Sequence, residues 1–167
     1  MDRSVPLGKY WPADGTPNWL AHPNGLVVDV VALPIAPSGQ SIDLFPFPLG
    51  LSDADAVPEP AMLVSIIGFP LGISIGDLLP IWKTGHIASD PATDFDGQPL
   101  SLIDATTRGG MSGSPVILKT HGGYRTADGR RPMREVTKLL GVYSGRINAR
   151  SEIGVVWKPV VIDQILP

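Results

Sequence analysis

No cysteine occurs among the 167 residues. The chain therefore contains neither disulfide nor thiolate nucleophile, and a reducing compartment such as the cytoplasm is compatible with it. No apolar run reaches the roughly eighteen residues that a membrane-crossing helix needs, and the opening Met1-Asp2-Arg3-Ser4-Val5-Pro6 has no hydrophobic signal core. Neither a membrane partner nor a secretory leader is expected. Charge of one sign is also scarce. With 13 Lys and Arg against 16 Asp and Glu the formal charge is −3, and no basic stripe is present to attract phosphates, so nucleic acid is not an expected partner. His22, His86 and His121 lie too far apart for a local metal-binding motif, and neither metal nor cofactor is expected.

What the chain has in quantity is punctuation. Eighteen prolines and nineteen glycines run along its whole length and break it into short apolar segments. With 43 % hydrophobic and 17 % charged residues it is a globular sequence of the all-β class, built of short strands and tight turns. A short strand is expected near Asn18 to Ala21, then an apolar run from Leu26 to Ile35. Residues 36–60, rich in proline and acids, read as a long surface connection between two lobes. Strands follow within Ala61 to Gly72, where a Gly/Pro turn ends the strand, and at Pro80 to Ala88, Leu100 to Asp104, Pro115 to Lys119, Val136 to Ile147 and Gly154 to Trp157, with a short helix within Lys158 to Leu166. Six strands after residue 60 suffice for one small antiparallel barrel.

The segment with most chemical content is Thr107-Arg108-Gly109-Gly110-Met111-Ser112-Gly113-Ser114-Pro115-Val116-Ile117. It sets a serine in a glycine-flanked turn immediately before an apolar strand. A serine hydroxyl becomes a useful nucleophile when a base takes its proton and backbone N–H groups meet the developing oxyanion, and both need a sharply bent backbone. The α/β-hydrolase pattern G-x-S-x-G requires glycine two places after the serine, where this chain has Ser114. An ordinary Gly/Ser turn between strands remains the alternative.

The pattern G-x-S-G-x-P followed by Val-Ile resembles the active-site segment of the trypsin/chymotrypsin-like serine peptidases. Other segments extend that resemblance over residues 26–166. Val27-Val28-Asp29-Val30-Val31-Ala32-Leu33 is similar to the strand that carries the triad acid, with Asp29 83 residues before Ser112, and Val64-Ser65-Ile66-Ile67-Gly68-Phe69-Pro70-Leu71-Gly72 to a strand and turn of the second barrel. Leu140-Gly141-Val142-Tyr143-Ser144-Gly145-Arg146 resembles the strand that pairs with substrate, and Gly154 to Pro159 the last pocket strand. The resemblance implies a two-lobed antiparallel β-barrel fold, with residues 1–50 as an incomplete first lobe and 51–167 as the second. It implies a serine endopeptidase acting on peptide or protein substrate, with Ser112 as nucleophile, Asp29 as triad acid, and the N–H groups of Gly110 and Ser112 as oxyanion hole. Thr106 would form the pocket floor, with Ser144 and Gly145 in the pocket wall. A neutral floor argues against a Lys or Arg preference, although Asp104 lies nearby.

Two points stand against a complete active site. A carboxylate among valines needs a hydrogen-bonding partner, or else strand alternation turns Asp29 to solvent. The family places its histidine some dozens of residues before the acid, on a different strand, whereas the one histidine preceding Asp29 is His22, only seven positions away. Twenty-eight residues precede Asp29, too few for a full first barrel, so the sequence reads as N-terminally truncated, with self-association or a complementing N-terminal segment as a further expectation. Two other readings stay open: a pseudopeptidase that binds peptides through the same surfaces, and an unrelated β-barrel binding protein. The basic loop from Arg125 to Arg134 is either a solvated loop or a contact for acidic segments.

Overall fold

A computed structural model describes residues 15–35, 45–76 and 78–167, so the segment assigned to a first lobe and the connection after it lie partly outside the described residues. Two short strands, β1 (Leu20–Ala21) and β2 (Val31–Ala32), pair antiparallel. Six longer ones follow: β3 (Leu63–Gly68), β4 (Ile81–Ile87), β5 (Leu100–Asp104), β6 (Pro115–Thr120), β7 (Val136–Arg146) and β8 (Ile153–Trp157). They close into an antiparallel barrel in the order β3-β4-β5-β8-β7-β6, and a short helix, α1 (Val160–Ile165), completes the chain. Closure gives each strand a partner on both sides, with the shortest seams between β4 and β5 and between β3 and β6.

The hydrophobic pattern explains which faces are buried. Inside the barrel Val64 and Ile66 of β3 meet Ile87, Ile103, Val116, Leu118, Tyr143 and Val156. Ile67 of β3 and Ile117 of β6 face the other way and are apolar as well, because a second layer covers the barrel there. Ile67, Ile117 and Leu139 are buried beneath Leu51 and Ile162. Strands buried on both faces lose the apolar/polar alternation, which is why Val116-Ile117-Leu118 reads as an unbroken run. A third cluster joins the early segment to the end of the chain, with Val28 packing among Leu100, Trp157, Val161 and Ile165 and backed by Val30 and Ala32.

The strand expected across Leu26 to Ile35 is reduced to β2, preceded by a 3-10 turn at Gly25–Val27. Period-two exposure nevertheless persists through this irregular backbone. Val28 is 5 % exposed, whereas Val27 is 63 % and Val31 54 % exposed, and Asp29 faces solvent with them. Among the described residues before 60, β1 and β2 are the only strands, and they build no second barrel.

The basic hairpin loop folds back on the segment before β3. Arg125 pairs with Glu59 at 2.7 Å and Arg134 with Asp55 at 2.8 Å, while Val57 N–H donates to the Arg125 carbonyl. Asp128 accepts from Thr126 Oγ1 and then Arg130, which holds its carboxyl below the usual range. These arginines serve the fold by clasping residues 55–59.

Strand β7 carries two bulges. Its register slips once against β6, where Val116 opposes Gly141 and Ile117 opposes Leu139, and once against β8, where Tyr143 opposes Val156 and Gly145 opposes Val155. Leu140 and Ser144 are the extra residues, and they bend the strand around the barrel. At Gly141 φ is +143°, and a Cβ there would stand 1.8 Å from the Trp157 carbonyl oxygen. Gly141→Ala is therefore expected to separate β7 from β8 and cost at least ~2 kcal/mol, read as a lowered denaturation midpoint with an unchanged denaturant slope.

Candidate active site

The serine turn is held by the barrel itself. After β5 the chain alternates inward and outward: Ala105, Thr107 and Met111 are buried, and Ser114 follows them, while Thr106 and Ser112 are exposed. Met111 is fully enclosed in the barrel core, so the residue after it must face out. Thr107 Oγ1 shares a short hydrogen bond with the Tyr143 hydroxyl, fixing the start of the loop to β7. The far side is fixed to the same residue through its backbone. Gly113 N–H donates to the Tyr143 carbonyl at 2.8 Å, and Tyr143 N–H donates to Ser114 at 2.9 Å.

Bracing comes also from the turn after β3, where Leu71 N–H donates to the Gly109 carbonyl at 2.6 Å. Gly110 has φ +89° and Gly113 φ +84°. A Cβ on Gly110 would lie 2.4 Å from the Phe69 carbonyl oxygen, so that position is restricted to glycine by both torsion and space. Leu71 itself, not glycine, is held at φ 57° with its side chain 68 % exposed beside this turn. Strained non-glycine backbone of this kind costs roughly 1–3 kcal/mol and concentrates near functional sites.

Ser112 Oγ donates to the Ser144 carbonyl at 2.9 Å. That acceptor is available because Ser144 is the bulged residue of β7, outside the regular ladder with β8. The N–H groups of Gly110 and Ser112 donate to no described residue. The exposed serine hydroxyl thus sits in a turn pinned on both sides, with two backbone donors of that turn unpaired among the described residues. Ser144 meets the hydroxyl through its carbonyl, and Gly145, which follows the bulge, is half-buried. Thr106 is exposed, and the inward residue is its neighbour Thr107. The sequence reading did not single out Met111, the Thr107–Tyr143 pair or Glu152, whose carboxylate lies between Arg108 at 3.8 Å and Arg146 at 3.7 Å. The inward side of a loop has no local periodicity to reveal it.

Neither proposed triad partner is placed at Ser112: His22 is engaged elsewhere and Asp29 faces solvent. His22 is buried, its Nε2 lies 2.7 Å from Gln164 Oε1 on α1, and its Nδ1 accepts from Asn24 N–H. Asp29 makes no hydrogen bond or ion pair with a described residue. His86 is exposed on β4, opposite Asp104 of β5. His121 lies 3.1 Å from Glu135, whose carboxyl is held below its usual range by Lys119 first and His121 second. None of the three histidines is hydrogen-bonded to Ser112. His22 instead ties the early segment to the C-terminal helix.

The chain matches no protein-family model and no curated protein. Its site is read from its own geometry. Gly110→Ala should push the Phe69–Gly72 turn away from the serine turn and cost ~2 kcal/mol or more. Amide chemical shifts at residues 69–72 and 108–114 should move while those of α1 stay in place, and a shift map confined to residue 110 would contradict the bracing.

Proposed function

We propose that this chain carries the nucleophile side of a trypsin-like serine endopeptidase site, with Ser112 as the attacking residue and the N–H groups of Gly110 and Ser112 as the oxyanion hole. The observation that carries the reading is the exposed Ser112 hydroxyl in a pinned turn whose Gly110 and Ser112 N–H groups donate to no described residue. Ser112 Oγ adds to a peptide or ester carbonyl, and the carbonyl oxygen takes the negative charge into the two N–H groups. Each such donor contributes roughly 3–4 kcal/mol in enzymes of known mechanism. The amine or alcohol leaves, and water then releases the acyl group from Oγ.

The missing component is the base. At rest the Ser112 proton points to the Ser144 carbonyl, which is an acceptor but cannot take the proton away. With His22 committed to Gln164, Asp29 turned to solvent and no histidine hydrogen-bonded to Ser112, hydrolysis requires a proton acceptor that this arrangement does not bring to the hydroxyl. Loss of a triad base lowers turnover by several orders of magnitude, on the order of 10⁴ to 10⁶. That same observation favours a second reading, a pseudopeptidase that holds a peptide against Ser144 and Gly145 without cleaving it.

Labelling with a fluorophosphonate probe separates the two. The peptidase reading expects slow covalent labelling of the wild-type chain that disappears in Ser112→Ala, with the melting temperature of the variant unchanged. Labelling that survives the substitution removes Ser112 as nucleophile. Peptide binding without any labelling selects the pseudopeptidase.

The apolar loop beside the site bears on the partners proposed for this surface. Leu71, Ile73, Ile75, Leu78, Leu79 and Trp82 are each more than half exposed, an apolar area larger than isolated surface residues explain. Self-association through this loop is expected to give a dimer or larger species in size-exclusion chromatography with light scattering, and Leu71→Asp with Leu79→Asp should shift it to the monomer mass.

A further inference from the structure

The barrel has a second opening. The serine turn follows the end of β5 and is tied to the end of β7, at Tyr143 and Ser144. A cavity of about 440 Å³ lies at the other end, bordered by Ser101 at the start of β5, Lys138 near the start of β7, and Lys158 just past β8. Its inner wall is the barrel core itself, formed by Ile87, Ile103, Val116 and Val156. The volume falls within the range of small-molecule sites, and the combination of an apolar wall with few polar groups is the usual composition of such sites.

Lys138 sets the chemistry at the mouth. It lies two residues from both Val136 and Leu140, which pack on the barrel core, so strand alternation carries its stem along the inner face. Its Nζ donates to the carbonyls of Ser52 at 2.7 Å and Ala54 at 2.6 Å. An ammonium has three N–H donors, and these neutral acceptors take two. No carboxylate of the described residues forms an ion pair with it, whereas Lys158 is neutralised by Asp94 at 2.7 Å. Burial lowers the affinity of Lys138 for its proton, and Asp53 and Asp55 raise it again from a distance.

The two acids on the rim, Asp53 and Asp163, are exposed. A ligand charge set against an exposed carboxylate is screened by water and gains little, whereas one set against a half-buried, unneutralised ammonium gains a charge-assisted hydrogen bond. The polarity of the preferred head group follows from that difference. We propose that this cavity binds a small amphiphile of the medium-chain carboxylate class, its apolar body against the barrel core and its carboxylate on the third N–H of Lys138. The site is independent of Ser112 and stands whether or not the chain cleaves peptides.

Decanoate, decanol and decylamine, matched in body and different in head, provide the test, each titrated below its micelle concentration by calorimetry. Decanoate is expected to bind saturably with one site per chain, about tenfold or more tighter than decanol, with decylamine weakest. Lys138→Met should remove the preference for decanoate over decanol while leaving decanol binding in place, and Lys138→Arg should restore much of it. Equal binding of decanoate and decanol to the wild-type chain would sink the role of Lys138, even if the Lys138→Met variant failed to fold. Preference for decylamine would assign the mouth to Asp53 and Asp163, and absence of binding by all three to folded protein would mean that the cavity takes no such ligand. Ser112→Ala should leave every one of these affinities unchanged, and a change there would overturn the independence of the two sites.

Discussion

Tyr143 is where the strands and the serine turn are joined. Its backbone N–H and carbonyl reach across to Ser114 and Gly113, its hydroxyl reaches Thr107, and its ring is buried in the barrel core. One residue of β7 therefore fixes both flanks of the turn. Because the tie includes two backbone hydrogen bonds, the turn moves only as the barrel moves. Met111 adds the opposing constraint from inside, since its burial leaves Ser112 no inward alternative. An exposed hydroxyl held this way has lost most of its conformational freedom before any ligand arrives, which is the condition for pre-organised chemistry.

The bulges in β7 convert a structural necessity into a site. Closing six short strands requires the sheet to bend, and extra residues in one strand supply the bend. At Leu140 the bulge costs the close approach of Gly141 to Trp157. At Ser144 it takes a carbonyl out of the ladder and gives it to Ser112 Oγ. The two ends of the barrel differ accordingly. One is filled by the turn and its braces, and the other stays open around Lys138.

Much of the barrel was legible in the chain. Leu100 to Asp104 forms the strand its pattern indicates, and the other five strands and the terminal helix begin or end within one or two residues of the expected positions. Proline and glycine mark those boundaries by steric rules that act locally, so the signal survives without knowledge of the fold. The apolar run around Asp29 misled because its valines are covered on one side only, by α1 and Trp157, and such packing needs no long strand. His22 likewise resembles a base beside an acid in sequence, yet its partner Gln164 lies 142 residues away. Of Thr106 and Thr107 it is Thr107 that turns inward, because the Tyr143 hydroxyl across the barrel receives it.

The sequence by itself determined the class, the number of barrel strands and the presence of a bent, exposed serine, because backbone torsion limits and apolar periodicity are properties of neighbouring residues. Only the tertiary structure decided what surrounds that serine. The Ser144 carbonyl at the Ser112 hydroxyl, the distant engagement of His22 by Gln164 and the cavity beneath Lys138 all arise where segments far apart in the chain meet, and such meetings have no local signal.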